Sequence, residues 1–322
     1  MNENIEQSFL EGRKIAVLMG GWSSERDISL ISGKAVGDAL KEMGFDPLIL
    51  DLQSEEDAEK RIKNIDIAFI ALHGKGGEDG FIQDLLKRRE INFTGSEVEA
   101  CRISMNKAET KKIWRDLSLP TPDFVEIKNV GSPNMKMTPY VSGENDITSL
   151  DKSFVVKPIS HGSSLGVSIV KPGQGTLEEA MKEAANYENN IITEAYVDGI
   201  EITVPILGQK PLTPISINPK NEFYDYQAKY ISQDTKYFQT ELSLEKKDEL
   251  KNFAWHAFSS IGCKGWGRVD LIQDLEGNFQ LIELNTVPGL TRSSLVPKSA
   301  ALEGITFNQL IVKILKLACH ED

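Results

Sequence analysis

Two neighbouring segments constrain the fold of this chain more than any other feature, because they read as the two strands of one β-hairpin. The strands are predicted over residues 266–272 and 279–285, with residues 275–278 as the connecting loop. Apolar and polar residues alternate along both segments, which predicts one face buried in a core and one polar face. The apolar set is Val269, Leu271, Ile282 and Leu284.

The loop length fixes which residues of the two strands face each other. It predicts three opposed pairs: Asp274 with Phe279, Asp270 with Glu283, and Arg268 with Asn285. Opposed side chains lie about 5 Å apart at Cβ, where two like charges destabilise a sheet unless a cation lies between them. Oxygen ligands from Asp270, Glu283 and Asn285, without Cys or His, favour Mg²⁺ or Mn²⁺. The alternatives are a solvated acidic hairpin and a β-bulge that breaks the register.

The first hundred residues alternate short apolar runs with amphipathic stretches. Strands are predicted over residues 14–19, 45–52 and 65–72, with a helix after Gly20-Gly21. Alternating strands and helices predict a parallel sheet. The first 13 residues lack this pattern and are predicted to be a frayed extension.

A new unit is predicted to begin near Lys107, with a helix over residues 110–117 and a strand at residues 154–156. Residues 126–152 show no clear period and are predicted to be irregular. Ser243 and Thr306 are predicted to cap two later helices, each with an apolar stripe that faces the core.

Composition excludes several classes of function. The chain has 322 residues, 40% of them hydrophobic, and a formal net charge of −12, which argues against sequence-independent nucleic-acid binding. Cys101, Cys263 and Cys319 are widely separated, so neither a disulfide framework nor a zinc site is indicated. A reducing cytoplasm fits this cysteine usage best. The sequence has no apolar run of membrane-spanning length and no signal-peptide pattern, so no membrane association is expected.

Three glycine-containing loops follow predicted strands, at residues 20–25, 73–80 and 157–166. The third joins a lysine, hydroxyls and glycines, so it resembles a phosphate clamp, although it is not a Walker A motif and a flexible hairpin tip would look alike. The first could bind a carboxylate or simply cap a helix. Residues 223–230 carry four aromatic side chains, which predicts either a loop that closes over a ligand or a packed surface loop.

Taken in order, the motifs closely resemble those of the D-alanine-D-alanine ligase family of the ATP-grasp superfamily, from about Lys14 to the C terminus. The segments that carry the resemblance are Gly20–Glu25, Leu72–Gly80, Lys157–Gly166, Lys229-Tyr230, Gly265–Asp270 and Glu283–Gly289. Three departures are Gln239-Thr240-Glu241, where many members have a Pro-Ala pair, Ala195, where many have lysine, and the extra residues Met1 to Arg13.

The resemblance implies an α/β ATP-grasp fold of three α/β domains, the first a parallel-sheet (pre-ATP-grasp) domain. It places an N-terminal substrate-binding domain over residues 1–106, a central ATP-binding domain over 107–197 and a C-terminal domain over 198–322. The implied reaction joins two D-alanine molecules at the expense of ATP, through an acyl phosphate, for peptidoglycan synthesis. A cytoplasmic homodimer is also implied.

The resemblance further implies a role for each matching residue. Catalytic positions match Glu25, Ser163, Tyr230, Arg268, Gly289 and Ser294. Positions that contact D-alanine match His73, Lys229 and Leu295. ATP-binding positions match Lys107, Lys157, Glu194, Tyr196, Val197 and Glu201. Ligands of two Mg²⁺ or Mn²⁺ ions match Asp270, Glu283 and Asn285. A tyrosine at position 230 favours the dipeptide over an ester product.

Three other functions are compatible with parts of this pattern. Another ATP-grasp enzyme would share the ATP and metal residues, but Glu25, His73, Tyr230 and the pair Ser294-Leu295 oppose it. A nucleotide-binding regulator without catalysis predicts the loss of Arg268 or of a metal ligand, and neither is lost. A kinase of a small hydroxyl compound would not need contacts to a second alanine.

Overall fold

The strands of this protein form three sheets within the part of the chain that the computed structural model describes, residues 7–142, 149, 151–218 and 236–319. The first sheet is parallel and the other two are antiparallel. No helix among these residues is long and apolar enough to cross a membrane.

The N-terminal sheet has the strand order β2-β1-β3-β4. Its strands are β1 (Ile15–Gly20), β2 (Leu48–Leu52), β3 (Ile67–Ile70) and β4 (Asn92–Phe93). Its helices are α1 (Arg26–Glu42), α2 (Glu55–Arg61), α3 (Phe81–Arg88) and α4 (Val98–Met105). The predicted parallel sheet is therefore present. The predicted frayed extension does not hold throughout, because Ser8–Leu10 form a 3₁₀ turn whose Leu10 is only 1% exposed in the core.

The middle sheet has the order β6-β5-β9-β7-β8. Its strands are β5 (Phe124–Lys128), β6 (Lys136–Tyr140), β7 (Phe154–Pro158), β8 (Ser168–Val170) and β9 (Ile191–Ala195). Its helices are α5 (Lys107–Asp116) and α6 (Leu177–Ala185). The prediction of irregular structure over residues 126–152 is wrong for β6. This strand lies at the sheet edge and is largely exposed, so no alternating apolar pattern marks it.

The third sheet has the order β13-β12-β10-β14-β15, with β11 also paired to β10. Its strands are β10 (Gly199–Leu207), β11 (Lys210–Pro211), β12 (Ile215–Asn218), β13 (Lys236–Gln239), β14 (Trp266–Asp274) and β15 (Phe279–Asn285). The later helices are α7 (Leu244–Ser260), α8 (Leu295–Leu302) and α9 (Phe307–Leu317). Ser243 and Thr306 cap α7 and α9 as predicted, each accepting a backbone N–H with its side chain.

The predicted hairpin forms, with one change of register. Arg268 faces Asn285 and Asp270 faces Glu283, but a bulge follows, so that Phe279 pairs with Gln273 and not with Asp274. The inserted residue is Ile282, which faces no partner in the ladder. The predicted apolar face is corrected accordingly. Leu281 lies in the core, whereas Ile282 is only partly buried and lines a cavity.

The largest core joins the two ends of the chain. The N-terminal sheet packs in one cluster with apolar residues of α9, including Phe307, Leu310 and Ile314. A second core lies between α7 and the hairpin of β14 and β15, around Phe258 and Leu271. The apolar face of the hairpin is therefore buried against α7, and its polar face is directed away from this core.

Candidate active site

Asp270 lies at the centre of the polar face of the hairpin and accepts four side-chain hydrogen bonds. Arg268 donates from Nε to Oδ1 at 2.8 Å and from Nη2 to Oδ2 at 2.7 Å. Thr203 Oγ1, directly opposite on β10, donates to Oδ1 at 2.7 Å, and Asn285 Nδ2 donates to Oδ2 at 2.9 Å. Charge-assisted bonds of this kind fix both the carboxylate and the plane of the guanidinium.

A cavity of about 640 Å³ lies between the middle sheet and the third sheet. Its volume falls in the range of pockets that enclose small-molecule ligands. All six residues predicted to bind ATP line it: Lys107, Lys157, Glu194, Tyr196, Val197 and Glu201. Asp270, Ile282 and Glu283 form part of the opposite wall. Each side of the cavity thus comes from a different sheet.

A smaller cavity of about 260 Å³ lies next to it, against the N-terminal sheet. The predicted residues that line it are Glu25, His73, Ser163, Arg268, Asn285, Gly289, Ser294 and Leu295. Lys107, Gly162 and Glu283 line both cavities, and Lys107 Nζ lies 3.7 Å from Glu283 Oε2. The two cavities therefore meet at an ion pair. Lys229 and Tyr230 lie outside the residues that the structure describes.

The loop after β7 reaches the smaller cavity in a strained conformation. Ser163 and Ser164 both have left-handed backbones, with φ of 55° and 57°, each of which costs on the order of 1 kcal/mol. Ser163 Oγ donates a short hydrogen bond to Glu25, which follows β1. A Cβ at Gly162 would lie 3.0 Å from both carboxylate oxygens of Glu25, so glycine permits this close approach.

Three lysines and two carboxylates are clustered beside the larger cavity. Glu194 contacts Lys157 through Oε2 at 2.9 Å and Lys111 through Oε1 at 3.3 Å. Burial lowers the pKa of Lys107, and Glu283 and Glu194 oppose this effect. Burial would raise the pKa of Glu194, but Lys111 and Lys157 lower it below its ordinary value, so the carboxylate stays ionised.

His73 is buried at the inner end of the smaller cavity. Its Nδ1 lies 2.8 Å from the carbonyl oxygen of Val287, and because a carbonyl only accepts, Nδ1 carries a hydrogen. Its Nε2 lies 3.0 Å from Ser32 Oγ, which accepts the Leu290 N–H. Burial lowers the pKa of His73, but the hydrogen bond and charge of Glu78, aided by Glu25, raise it on balance.

The predicted metal ligands fit a hard cation by the chemistry of their donor atoms. Asp270, Glu283 and Asn285 can offer oxygen ligands from one face of the hairpin, where Asp270 and Glu283 line the larger cavity and Asn285 lines the smaller one. Among the described residues, no three His, Cys, Asp or Glu side chains form a metal site by themselves. Mg²⁺ is commonly held by one or two carboxylates together with substrate phosphates, so two carboxylates and an amide suffice.

Comparison with known proteins assigns this chain to a family. Residues 50–96 and 113–316 match the family models described as D-ala D-ala ligase N-terminus and C-terminus. A D-alanine–D-alanine ligase of Actinobacillus succinogenes is 40% identical over 311 residues, which are 96% of this chain and 99% of that protein. This chain belongs to the D-alanine–D-alanine ligase family. The family predicted from the motifs is therefore confirmed.

Solved structures agree with this assignment. The D-alanine–D-alanine ligase of Bacillus anthracis is 32% identical, with a TM-score of 0.81 over 96% of this chain and 98% of that chain. Its complex with ATP is 30% identical, with a TM-score of 0.80 over 96% and 97%. The VanG D-Ala:D-Ser ligase of Enterococcus faecalis, 24% identical with a TM-score of 0.80 over 96% and 100%, is similar in fold. The predicted ATP-grasp fold is confirmed.

Four residues next to the predicted ones were not predicted from the sequence: Ser32 and Glu78, which line the smaller cavity, Lys111, which contacts Glu194, and Thr203, which donates to Asp270. Lys111 lies one helical turn after Lys107, and this spacing could have placed both on one face of α5. Glu78 belongs to a glycine-rich loop that was recognised only for its backbone. Thr203 becomes visible only through the pairing of β10 with β14, which joins segments far apart in sequence.

Proposed function

We propose that this ligase joins two D-alanine molecules into D-alanyl-D-alanine for peptidoglycan synthesis, converting ATP to ADP and phosphate through an acyl phosphate. The meeting of the two cavities at Lys107 and Glu283 is the observation that carries the proposal. It lets a phosphoryl group pass from a nucleotide in the larger cavity to a carboxylate in the smaller one.

The first step is attack by the carboxylate of one D-alanine on the γ-phosphate of ATP. Phosphoryl transfer depends mainly on positioning and charge neutralisation. Lys107 and Lys157 supply positive charge on the nucleotide side, and Lys107 is oriented by donating to the carbonyl oxygen of His161 at 2.7 Å. Glu25, oriented by Ser163, binds the ammonium group of the first D-alanine.

The second step is attack by the amine of the second D-alanine on the acyl phosphate, which releases phosphate. The negative charge that gathers on the tetrahedral oxygen is stabilised by Arg268 and by the Gly289 N–H. Asp270 fixes the guanidinium plane, so little reorganisation is needed at this step. Ser294 and Leu295, together with Lys229, bind the carboxylate of the second D-alanine, and Tyr230 takes the catalytic role that its position in the family motif implies.

Asp270, Glu283 and Asn285 would hold two Mg²⁺ or Mn²⁺ ions. Such ions, when bound, neutralise charge on the phosphate oxygens. Glu194, Tyr196, Val197 and Glu201 bind the adenosine part of ATP. We further propose the domain boundaries 1–106, 107–197 and 198–322, a homodimer, and a cytoplasmic location, where ATP is available.

The test is phosphate release from Mg²⁺-ATP by the purified protein with D-alanine, with L-alanine and no-substrate controls in the same plate. Release with D-alanine alone, together with dipeptide detected by mass spectrometry, is the expected result. Phosphate release only with another carboxylate and amine would replace this substrate assignment. Phosphorylation of a hydroxyl compound without ligation would identify a kinase instead.

A further inference from the structure

Lys111 is a fully buried charged residue that lies outside the residues lining the two cavities. Its ammonium donates to Thr121 Oγ1 at 2.7 Å and to the carbonyl oxygen of Leu281 at 3.2 Å. A lysine is almost never fully buried unless it is paired. Its third neighbour, Glu194 Oε1 at 3.3 Å, supplies the opposite charge.

Glu194 divides its charge between two lysines with different surroundings. One oxygen contacts Lys157, which lines the larger cavity, and the other contacts Lys111 behind the cavity wall. Glu194 is itself only 3% exposed, so little water screens either contact. The charge that Lys157 presents to the cavity therefore depends on how much of the Glu194 charge is balanced by Lys111.

We propose that Lys111 is a positioning residue for phosphate binding, which balances Glu194 from behind and leaves the Lys157 ammonium with charge to offer the phosphates of the nucleotide. This inference rests on the proposed function for the identity of the nucleotide. Lys107, Lys111 and Lys157 face Glu194 and Glu283, so the cluster has an excess of positive charge. Without Lys111 that excess is lost.

Lys111 also supports the bulge that shapes the opposite wall. The Leu281 carbonyl accepts from Lys111 and from Thr121 Oγ1, and Leu281 N–H donates to the carbonyl of Pro120. Ile282 and Glu283 follow directly and line the cavity. Thr121 contacts the same carbonyl but carries no charge. The variant Thr121→Val therefore removes a contact that supports the bulge and leaves the charge of Lys111 beside Glu194.

The experiment measures the dissociation constants of ADP and of adenosine, by displacement of a fluorescent ATP analogue, in the absence of D-alanine. Lys111→Met is expected to weaken the binding of ADP about tenfold, because one partner of a buried charged cluster is lost. Adenosine has no phosphate, and Lys157 still holds Glu194 through its other oxygen, so the affinity for adenosine is expected to change less than about twofold. Lys112→Met is the matched control, because this neighbouring lysine pairs with Glu126 away from the cluster.

A second comparison isolates the role of Glu194. The double variant Lys111→Met with Glu194→Gln is expected to bind ADP within about twofold of Glu194→Gln alone, because no carboxylate then needs to be balanced. Independent losses in the double variant would overturn the proposal. So would an equal loss of ADP and adenosine, or a loss in Thr121→Val as large as in Lys111→Met.

If Lys111→Met fails to fold, the double variant still tests the proposal. It buries no unpaired carboxylate, and its affinity for ADP is compared with that of Glu194→Gln. These binding outcomes are also separate from the proposed ligation. A wild-type protein that binds ADP but releases no phosphate with D-alanine would refute the ligase assignment and leave the Lys111 comparison intact.

Discussion

At the residue scale, Arg268 combines a charge with a fixed orientation. Its guanidinium is held by both oxygens of Asp270, and lysine cannot reproduce this planar, two-pronged contact. We expect Arg268→Lys to lower kcat by about 100-fold or more, which is typical for loss of one oxyanion donor. Arg102→Lys, an exposed arginine paired with Glu99 and Glu109, is the control. Unchanged kcat in Arg268→Lys would remove this residue from the mechanism.

The ionisation of Lys111 gives a pH dependence. Burial lowers the pKa of Lys111 to about 8, with Glu194 opposing and Lys157 adding to the shift, while Glu283 opposes it from β15. Its charge is therefore present below pH 8 and lost as the pH rises through that value, so ADP affinity is expected to fall there. Lys111→Arg stays charged and should not show this step.

The comparison with Lys111→Arg also separates Lys111 from its neighbour. Burial lowers the pKa of Lys107 as well, and this group titrates in both proteins. Affinity measured from pH 6.5 to 9.5 by calorimetry checks the prediction. The same decline in both proteins would assign the titration to Lys107 or to another group.

Residues whose chemistry follows from local motifs could be predicted from the sequence. Every predicted site residue within the described chain lines one of the two cavities. Lys111 could not be assigned a function in this way, because its proposed role depends on Glu194, which lies on β9, far along the chain. A buried ion pair depends on the tertiary structure and leaves no pattern in either local sequence.

At the element scale, the loop after β7 is anchored by the side chain of Glu188. This carboxylate accepts the Ser160 N–H at 2.8 Å and the Ser160 hydroxyl at 3.3 Å. We expect Glu188→Ala to free the loop and to raise KM for ATP about three- to tenfold, consistent with the loss of one or two charged hydrogen bonds. Initial rates at varied ATP and saturating D-alanine measure the effect.

Glu183→Ala is the control for this loop. The side chain of Glu183 is exposed, and it accepts a hydrogen bond from Asn186 at the end of the same helix. The variant is expected to leave KM for ATP unchanged. A comparable increase in both variants would mean that helix α6, rather than the Ser160 contact, determines the position of the loop.

The hairpin of β14 and β15 shows which part of a strand pairing can be predicted from sequence patterns and which part cannot. Alternation and loop length predicted that Arg268 faces Asn285 and that Asp270 faces Glu283, and both pairs are present. The register beyond them was wrong, because Ile282 fits an alternating pattern as well as Leu281 does. The contacts of the Leu281 backbone with Lys111, Thr121 and Pro120 distinguish the two residues.

At the scale of the whole molecule, helix α9, which follows the strands of the third sheet along the chain, packs with the N-terminal sheet in one core. Leu310 is fully buried in the core that also contains Val17 and Leu40. We expect Leu310→Ala to lower the free energy of unfolding by about 2–5 kcal/mol, as for other buried leucines. Urea unfolding followed by circular dichroism measures this change.

Lys316→Ala, on the exposed side of the same helix, is the control for Leu310→Ala and is expected to change stability by less than about 0.5 kcal/mol. The loss of ligase activity in urea should follow the same transition, since Val287, which lines the smaller cavity, belongs to this core. A stable Leu310→Ala protein would show that α9 is not required for the core.

The sequence predicted this helix and its cap but not its partner. An amphipathic stripe indicates that a helix packs against an apolar surface, but it does not indicate which one. Residues 17 and 310 are far apart in the sequence, so no local pattern shows that they meet. The parallel sheet, in contrast, follows from the alternation of strands and helices within one short stretch. Local order was therefore predictable, and the joining of the two ends was not.

The return of α9 to the first sheet has a consequence for synthesis on the ribosome. The strands β1 to β4 emerge early, yet a large part of the apolar surface that covers them belongs to residues translated some two hundred positions later. Until then the nascent chain carries an uncovered apolar face, which is the kind of surface that chaperones bind and that aggregates. We therefore expect the nascent enzyme to be most prone to aggregation before α9 has emerged from the ribosome.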